Sequence, residues 1–349
     1  MSSLKIGNIE LGKETFIIAE IASNHLGDFE LAMKSLDAAA STGVDAVKFQ
    51  LFRPEHLVTS DMPVMQHVPE NRFPTQRERW NHMRLKKEQI SVLFDQCQKK
   101  GVMFLCTPFD EASADFLEPL VPAFKLASGD ATNYVLVDHV VKKGKPIIAS
   151  TGLCSQEEVD SLVKRLPADQ TLLLHCVGAY PTPDDDACLS LIPFYRSRYK
   201  FSIGYSDHTQ DSLAPITAVA MGAVAIEKHF ILDKSLPGGD RDVSLDPQQM
   251  EDMVSQIRRL RKMVGMTPRR LLASEENFSR IMRRSPYTRQ SAKKGEILKI
   301  EDMILLRPEV ESAHPIAELF ELGSLRVLRN LEPETLLDET NSEIIPVAD

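Results

Sequence analysis

Six ionisable side chains lie within or just after short apolar runs, where a charged group is costly unless it is paired or functional. They are Glu20, Lys48, Lys125, His208, Glu227 and His229. Each stands near the carboxyl end of its run, and the carboxyl ends of the strands in a parallel barrel meet on one face. A structural ion pair or a satisfied histidine explains any one of them alone, but six at the same end predict a single site.

Strand alternation predicts which side chains share this site, since neighbouring residues point to opposite faces of a strand. Glu227 and His229 have the same parity in AIEKHF, so Lys228 is predicted to face outward. Lys48 and Gln50 have the same parity in VKFQ. The site is therefore predicted to combine carboxylate, imidazole, ammonium and amide groups.

The two histidines predict a site for a divalent metal ion. His208 follows one apolar run and His229 ends the next, so both imidazoles could bind one ion, with water or substrate in the open positions. A purely structural histidine pair is the alternative, and the nearby Glu227 and Asp240 favour the metal. Imidazole and oxygen ligands suit Mn²⁺, Co²⁺ and Zn²⁺ alike, so the residue types do not name the ion.

Basic and hydroxyl side chains predict the binding of an anion such as phosphate or carboxylate. Lys48 and Lys125 offer positive charge. Ser128-Gly129 and Ser150-Thr151-Gly152 add hydroxyls and close backbone N–H groups at strand ends. Each short Ser-Gly motif taken alone is more often a simple turn.

These side chains require a fold that brings many strand ends together. Strand-like apolar runs alternate with stretches of helical spacing along the chain. The eight runs are FIIAEIA (16–22), AVKFQLF (46–52), VMFLCTPF (102–109), AFKLASG (123–129), PIIASTG (146–152), LLLHCVG (172–178), FSIGYSD (201–207) and AVAIEKHF (223–230). Eight β/α units in about 250 residues predict an α/β fold, a (β/α)8 TIM barrel, over residues 1–265. The polar segment 53–84 is predicted to be a long loop at the rim of the site.

The pattern changes after the eighth unit. A helix is predicted to place one apolar face on the barrel and to stop at Gly265; that face comprises Met250, Met253, Val254, Ile257, Leu260 and Val264. The less regular stretch 266–285 is predicted to be a linker, and 286–349 a small β-rich domain.

Composition limits the class of protein. The chain has 349 residues, with 50 acidic against 41 basic residues and a formal charge of −9. This balance argues against a general binder of nucleic acid or anionic membranes. The five cysteines show no CxxC pair and predict reduced thiols; Cys106 and Cys176 are interpreted as packing residues, since no activating base is evident. The sequence also shows no signal peptide and no membrane-spanning run, so we expect a soluble, cytoplasmic protein.

Taken together, the motifs resemble the sialic acid synthase family, the phosphoenolpyruvate-condensing enzymes that make nonulosonic acids. The motifs are FIIAEIASNHLGD, DAVKFQ, CTPFDE, FKLASGDATN, KPIIASTG, HCVGAYPTP, GYSDHT and EKHF, in the family's order and spacing. The C-terminal part is similar to the family's small antifreeze-like (SAF) domain, through KKGEILKIEDM and LLRPEV.

The resemblance implies a reaction that joins C3 of phosphoenolpyruvate to the aldehyde carbon of an open-chain N-acyl amino sugar, with C–O cleavage and loss of phosphate. It implies a divalent metal, Mn²⁺ first and Mg²⁺ or Co²⁺ as alternatives, bound by His208 and His229. Glu20 and Glu227 are implied to be the catalytic carboxylates. The positions implied to bind phosphoenolpyruvate are Lys48, Thr107, Lys125, Ser128, Ser150 and Ser206. Further implied substrate contacts are Gln50, Asp130, Tyr180, Asp240 and Arg307.

Several positions depart from the family pattern. Asp130 stands where the sialic acid branch commonly has Glu, and Gly178 where one branch has Asn. The segment 309–312 replaces the glycines that usually follow the RP motif. The family also implies a homodimer in which Arg307 of one subunit supports the acceptor site of its partner.

The expected acceptor is N-acetylmannosamine, and a precursor of legionaminic or pseudaminic acid, or of a spore-coat polysaccharide, is the alternative within the family. A 3-deoxy sugar acid synthase that uses a phosphorylated sugar is a second hypothesis, against which the SAF-like segment weighs. A non-catalytic binding barrel is the third, and its expected loss of site residues is not seen.

Overall fold

The structure is a computed structural model that describes residues 4–65, 73–265 and 268–346. The chain divides into two compact units, Met1–Gly265 and Met266–Asp349. Each unit has its own hydrophobic core.

The first unit is a (β/α)8 barrel preceded by an antiparallel hairpin of β1 (Lys5–Ile6) and β2 (Ile9–Glu10). Within the described residues, eight parallel strands form one sheet in the order β5-β4-β3-β10-β9-β8-β7-β6, and β5 lies beside β6 to close it. They are β3 (Phe16–Glu20), β4 (Ala46–Leu51), β5 (Met103–Pro108), β6 (Phe124–Leu126), β7 (Ile147–Ser150), β8 (Thr171–Cys176), β9 (Ser202–Asp207) and β10 (Ala225–His229). The predicted barrel fold is confirmed, and every predicted strand is present.

Helices cover the outside of the barrel. They are α1 (Phe29–Ser41), α3 (Lys87–Lys100), α4 (Glu111–Leu117), α5 (Tyr134–Val141), α6 (Gln156–Val163), α7 (Leu191–Arg198), α8 (Leu213–Ala220) and α9 (Pro247–Val264), whereas α2 (Gln76–Met83) contacts the short turn Pro54–His56 after β4. Side-chain caps start several of them; Asp28, for example, accepts hydrogen bonds from the first N–H groups of α1. On α9 the predicted apolar face is buried through Ile257, whereas Val264, in the last turn, is exposed.

Helix α2 corrects the prediction that 53–84 is wholly a loop. Thr75 caps this helix by accepting a hydrogen bond from the backbone of Glu78 (3.3 Å). The segment QRERWNHM is mostly polar, so it lacks the apolar periodicity by which a helix is recognised in a sequence.

Two apolar layers follow from strand alternation. Inward-facing Phe16 and Ile18 of β3 pack with the hairpin residues Leu4, Ile6 and Leu11, which fill the amino end of the barrel. The alternate outward-facing residues of the strands pack against the helices. Because the amino end is filled with apolar side chains, the polar inward positions gather at the carboxyl end.

The second unit contains α10 (Ala273–Met282), α11 (Ile316–Leu322) and two small antiparallel sheets, β11-β13 and β12-β14-β15. The strands are β11 (Ser285–Thr288), β12 (Ile297–Lys299), β13 (Met303–Leu306), β14 (Gly323–Val327) and β15 (Ser342–Pro346). Helix α10 lies in the stretch predicted to be a less regular linker. Its N-cap residue is Leu272, which has no capping oxygen, and Glu275 instead accepts the Leu272 backbone N–H (3.1 Å).

Among the described residues, no helix combines the length and apolar character needed to cross a membrane.

Candidate active site at the carboxyl end of the barrel

The barrel strands deliver the predicted site residues by the alternation on which the sequence analysis relied. On β3, Phe16 and Ile18 lie in the barrel interior, so Glu20 faces the same way at the carboxyl end. On β10, the inward residue Ala225 is followed by Glu227 and His229. Their side chains meet in one space, the inner cavity.

The predicted residues that line the inner cavity fall into two sets. The ionisable set is Glu20, Lys48, Lys125, His208, Glu227 and His229. The second set is Gln50, Thr107, Ser128, Ser150, Tyr180 and Ser206. The structure therefore brings together the metal, carboxylate and anion-binding candidates of the sequence analysis.

Glu227 lies at the centre of the charges in this cavity. Its Oε1 atom is 3.6 Å from Lys48 Nζ and 3.7 Å from Lys125 Nζ, and it accepts a hydrogen bond from Ser206 Oγ (3.1 Å). Its Oε2 atom is buried and has no hydrogen-bond partner among the described residues. One carboxylate oxygen is thus held by two cations and a hydroxyl, and the other is left for a ligand.

The two lysines have further partners. Lys48 forms an ion pair with Glu20 and donates a hydrogen bond to Thr107 Oγ1 (3.2 Å). Lys125 donates to Ser150 Oγ (2.7 Å) and to the carbonyl of Leu126 (3.1 Å). These contacts position both ammonium groups on the floor of the cavity.

Burial and neighbouring charges shift the protonation equilibria of the cavity. Burial alone would raise the pKa of Glu227, but Lys125 and Lys48 lower the pKa of its carboxyl to about 2. Burial lowers the pKa of Lys48 to about 8, although Glu227 opposes this. At neutral pH Glu227 is therefore ionised, and Lys48 is a charged group close to its titration range.

His208 and His229 lie with ring centroids 5.3 Å apart. His208 Nδ1 is 2.6 Å from the carbonyl oxygen of Val177, which can only accept, so Nδ1 donates and the other ring nitrogen of a neutral His208 keeps its lone pair. His229 Nδ1 is buried without a hydrogen-bond partner in the described part of the chain.

These two imidazoles therefore fit a metal ion. The residues that the structure describes contain no group of three or more His, Cys, Asp or Glu side chains placed to hold one. An ion bound by the pair would accordingly take further ligands from water or substrate.

Cys176 corrects the interpretation that this cysteine only packs. Its sulfur lines the inner cavity 3.8 Å from His208 Nδ1, so an imidazole N–H lies beside it. Burial alone would raise the pKa of Cys176, but the contact with His208 lowers it. The signal was present in the sequence, because Cys176 has the same strand parity as the inward Leu172 and Leu174. Cys106 is buried in the outer apolar layer, as interpreted.

A second space, the outer cavity, adjoins the inner one and shares Gln50, Tyr180 and His229 with it. Asp240 lines the outer cavity and accepts a hydrogen bond from Ser23 Oγ (2.8 Å). The sequence analysis singled out Asp240 and the three shared residues but missed the remaining residues of the outer cavity. Those with polar groups are Ser23, His25 and Arg79, and the apolar ones include Phe52, Leu57, Trp80, Met83 and Phe109.

Other predicted contacts lie elsewhere. The Asp130 carboxylate accepts a hydrogen bond from Asn133 (3.1 Å), and burial raises its pKa, while the neighbouring Ser128 and Gly129 line the inner cavity. Arg307 belongs to the second unit, where its exposed guanidinium donates to the carbonyl of Met282 (2.9 Å).

Gly178 lies against the side chain of Leu153. A Cβ atom there would lie 2.4 Å from a methyl carbon of Leu153, another residue that lines the inner cavity. A side chain at position 178 would therefore require the exposed side chain of Leu153 to move.

Comparison with known proteins identifies the group to which this site belongs. The family model described as NeuB matches residues 35–268. The chain belongs to the NeuB family. This confirms the resemblance to sialic acid synthases and places the chain among enzymes of nonulosonic acid synthesis.

Similar members of the NeuB family span almost the whole chain. The chain is 36% identical to N,N'-diacetyllegionaminic acid synthase of Legionella pneumophila, with 92% of this chain and 93% of that protein covered. It is 33% identical to the spore coat polysaccharide biosynthesis protein SpsE of Bacillus subtilis, with 96% of each covered.

A solved structure supports the same grouping. The crystal structure of a sialic acid synthetase from Leptospira borgpetersenii serovar Hardjo-bovis, in complex with citrate, has a TM-score of 0.71 and 34% identity. The match covers 79% of this chain and 94% of that one.

Proposed function

We propose that the chain condenses phosphoenolpyruvate with an open-chain N-acyl amino sugar to give a nonulosonic acid and phosphate. The observation that carries this proposal is the inner cavity, which Lys48, Lys125, three serine hydroxyls and two imidazoles line together with the half-paired carboxylate of Glu227. Membership of the NeuB family supports the same reaction class.

Phosphoenolpyruvate would lie on the floor of the inner cavity. The ammonium groups of Lys48 and Lys125 would pair with its phosphate and carboxylate, and Ser128, Ser150 and Ser206 would donate hydrogen bonds. Because the charges of the two lysines are already balanced by Glu20 and Glu227, an anionic substrate brings uncompensated negative charge into a buried space.

A divalent metal ion would supply the missing positive charge. His208 and His229 would hold it, with Mn²⁺ as the first candidate and Mg²⁺ or Co²⁺ as alternatives. When bound, the ion would polarise the aldehyde oxygen of the acceptor and offset the charge of the substrates. The orphaned Nδ1 of His229 and the fixed tautomer of His208 support this assignment.

The proposed reaction balances as follows. C3 of phosphoenolpyruvate forms a bond with the aldehyde carbon, whose oxygen gains a proton and becomes a hydroxyl. The π electrons of the C2=C3 bond form this new bond, and a water oxygen bonds to C2. The bond from C2 to the bridging oxygen then breaks and phosphate leaves with that oxygen. The hydroxyl on C2 gives its remaining proton to the phosphate and becomes the keto group, while the first water proton offsets the proton gained by the aldehyde oxygen. Glu227, ionised and with Oε2 unpartnered, would accept a proton from the water. Glu20, held by Lys48 and by the Ala22 N–H (2.7 Å), would contact the reacting acceptor.

The acceptor sugar would occupy the outer cavity. This space meets the inner one at His229 and Gln50 and contains the Asp240 carboxylate, which can accept hydrogen bonds from sugar hydroxyls. N-acetylmannosamine is the first acceptor to test, and precursors of legionaminic or pseudaminic acid are the alternatives.

We further propose that the active form is a homodimer in which the second unit, acting as an SAF-like domain, completes the partner's site through Arg307. Helix α10 exposes Phe278 and Ile281, which are 70% and 60% accessible, and apolar side chains of this size are commonly covered in an assembly. Mixing an Arg307→Ala subunit with a His229→Ala subunit tests this. Partial recovery of activity is expected, and its absence in proven heterodimers contradicts the exchange.

The reaction itself is tested by incubating the protein with phosphoenolpyruvate, Mn²⁺ and a panel of acceptors, while phosphate release is measured. Release is expected with an N-acyl amino sugar and not with arabinose 5-phosphate. Turnover of arabinose 5-phosphate alone would instead support a 3-deoxy sugar acid synthase, and no release with any acceptor would exclude both synthases.

A further inference from the structure

The outer cavity contains a buried cation that the proposed reaction does not use. Arg79, on α2, is only 8% exposed, and its side chain lines the cavity. Over residues 4–65, 73–265 and 268–346, its guanidinium has neither a hydrogen bond nor an ion pair. A guanidinium carries five N–H donors, and those of Arg79 face the cavity with no protein acceptor among the described residues. The position therefore implies a ligand that accepts hydrogen bonds.

The helix that bears Arg79 is held firmly. The Arg77 guanidinium donates two hydrogen bonds to the carbonyl of Val58 (2.6 and 3.2 Å), and Gln76 accepts from the backbone of Met65 (3.3 Å). Gly27 packs against the other end of α2, where a Cβ atom would lie 2.3 Å from the His82 carbonyl oxygen. The orientation of the guanidinium is thus set by its scaffold before any ligand binds.

The surroundings of Arg79 are apolar and close to neutral in charge. Phe52 packs on Trp80 (ring centroids 5.8 Å apart) and on Phe109 (6.0 Å), and these rings form one wall of the cavity. The Asp240 carboxylate offsets the charge of Arg79, and burial keeps His25 neutral by lowering its pKa to about 4. A dianionic phosphate would leave this apolar space with excess negative charge, whereas a neutral group with a strong acceptor would not.

The arrangement of the two cavities also determines which end of the acceptor lies near Arg79. His229, Gln50 and Tyr180 lie at the boundary where the inner and outer cavities meet. Arg79 and Trp80 line the outer cavity alone. A sugar whose carbonyl reaches the inner cavity therefore turns its remote end toward Arg79.

We propose that Arg79, with the wall of Phe52, Trp80 and Phe109, is a specificity subsite for a neutral acylamino group at the remote end of the acceptor. The acyl oxygen accepts hydrogen bonds from the guanidinium, and the acyl methyl packs on the aromatic wall. This inference rests on the proposed function and names the substrate class more closely: an amino sugar with a second acylamino group.

The test compares three acceptors that differ in a group remote from the aldehyde carbon. N-acetylmannosamine has a hydroxyl there, its 6-phosphate has a phosphate, and a diacetamido hexose has a second acetamido group. Phosphate release gives kcat/KM for each with the wild type, Arg79→Met and Arg79→Lys. The wild type should prefer the diacetamido sugar, and Arg79→Met should lower kcat/KM for that sugar by about tenfold to a hundredfold. The change with N-acetylmannosamine should stay below about threefold. Arg79→Lys, which keeps the charge but not the fork, should recover only part of the loss.

Arg84→Met is the matched control, because Arg84 is an exposed arginine that follows the same helix. It should change none of the three values. Three results would overturn the inference but leave the proposed synthase activity intact. The wild type could prefer the 6-phosphate, it could use all three acceptors equally well, or Arg79→Met could lower kcat/KM equally for all three. No phosphate release with any acceptor overturns the proposed function, and the inference with it.

Discussion

Consecutive residues of β10 place two buried charges on opposite sides of the barrel wall. Lys228 points outward and is fully buried; it donates to Asp207 Oδ2 (2.5 Å) and to the carbonyl of Thr209 (2.5 Å). Asp207 also accepts hydrogen bonds from the Tyr205 hydroxyl (2.9 Å) and from Thr209. Both oxygens of this carboxylate are paired.

Glu227 points inward from the preceding position and is paired only in part. Its Oε1 atom meets Ser206, Lys48 and Lys125, while Oε2 has no hydrogen-bond partner in the described part of the chain. This difference shows that burial alone does not tell whether a charged residue stabilises the fold or serves the reaction. A buried carboxylate with a free oxygen at a cavity is ready for a ligand, whereas one with every oxygen paired stabilises the fold.

Replacement of Glu227 should have the largest effect on activity. Glu227→Gln keeps the shape and can still accept the Ser206 hydrogen bond, but it cannot accept a proton from water at neutral pH. Phosphate release should fall by about a thousandfold. The loss of stability should stay below the loss of about 3–5 kcal/mol expected for Lys228→Met, because Lys48 keeps Glu20 and Lys125 keeps Ser150 as partners. Asp185→Asn, an exposed carboxylate of the loop after β8, serves as the control and should keep full activity. Near wild-type turnover by Glu227→Gln would remove it from the proton transfer.

Replacement of Lys228 should act on stability instead. Lys228→Met leaves Asp207 buried without its cation and should lower the free energy of unfolding by about 3–5 kcal/mol. Denaturant unfolding measures this. In the double variant with Asp207→Asn no charge is left unpaired, so much of the loss should be recovered. If the stability loss of the double variant equals the sum of the losses of the two single variants, Lys228 and Asp207 do not stabilise each other as an ion pair.

Loss of an imidazole that we propose to bind the metal should have a smaller but clear effect. His229→Ala should weaken Mn²⁺ binding and lower turnover by about a hundredfold at limiting metal. Calorimetric titration should also show tighter Mn²⁺ binding when phosphoenolpyruvate is present, if the proposed ion takes further ligands from substrate oxygens. His139→Ala, a histidine that pairs with Asp115 on the outside of the barrel, should behave as the wild type. Unchanged Mn²⁺ affinity in His229→Ala would exclude that residue as a ligand.

The smallest expected effect is on pH dependence. Burial lowers the pKa of Lys48 to about 8, so the free protein loses this ammonium group as pH rises through that value. Because kcat/KM reports the free enzyme, kcat/KM for phosphoenolpyruvate should fall above about pH 8. The bound anion raises the pKa of Lys48, so kcat should fall only at higher pH. In Lys48→Arg the side chain stays charged, so kcat/KM should not fall above about pH 8, whatever activity the variant retains.

The depressed pKa of Lys48 also predicts the direction in which stability changes with pH. Between about pH 8 and its usual pKa of 10.5, Lys48 is neutral in the folded protein but still protonated in the unfolded chain. The unfolded state then binds more protons, so the Lys48 contribution to stability rises with pH over this window. Urea unfolding of wild type and Lys48→Met from pH 7 to 10 measures the difference. A contribution that falls with pH would contradict the depressed pKa.

The sequence predicted the inward face of the barrel well because strand alternation is a local property. Glu20, Lys48, Glu227 and His229 follow directly from the parity of apolar neighbours on their own strands. The same rule, applied to LLLHCVG, would have placed Cys176 in the cavity. Lys228 was correctly predicted to face outward, but its burial depends on Asp207 and on the helices that cover β10.

The outer cavity was less predictable for a physical reason. Arg79 lies on α2, a mostly polar helix without apolar periodicity, and its position depends on contacts with Val58 and Gly27 that are distant in the sequence. Only the folded chain brings this arginine beside Asp240 and the aromatic wall. Local patterns thus predicted the floor of the site, and tertiary contacts determine its outer wall.

Lys125→Met tests most directly whether the inward charges serve the reaction and not the fold. Phosphate release and the free energy of unfolding should be measured on one preparation. Glu227 keeps Lys48 and Ser206 as partners in this variant, so the loss of stability should stay below the loss of about 3–5 kcal/mol expected for Lys228→Met, which leaves Asp207 without a cation. Turnover should fall by about a thousandfold, because the anionic substrate loses one of its two ammonium partners. Retained turnover together with a stability loss of several kcal/mol, as expected for Lys228→Met, would contradict the assignment of the inner cavity as the catalytic site.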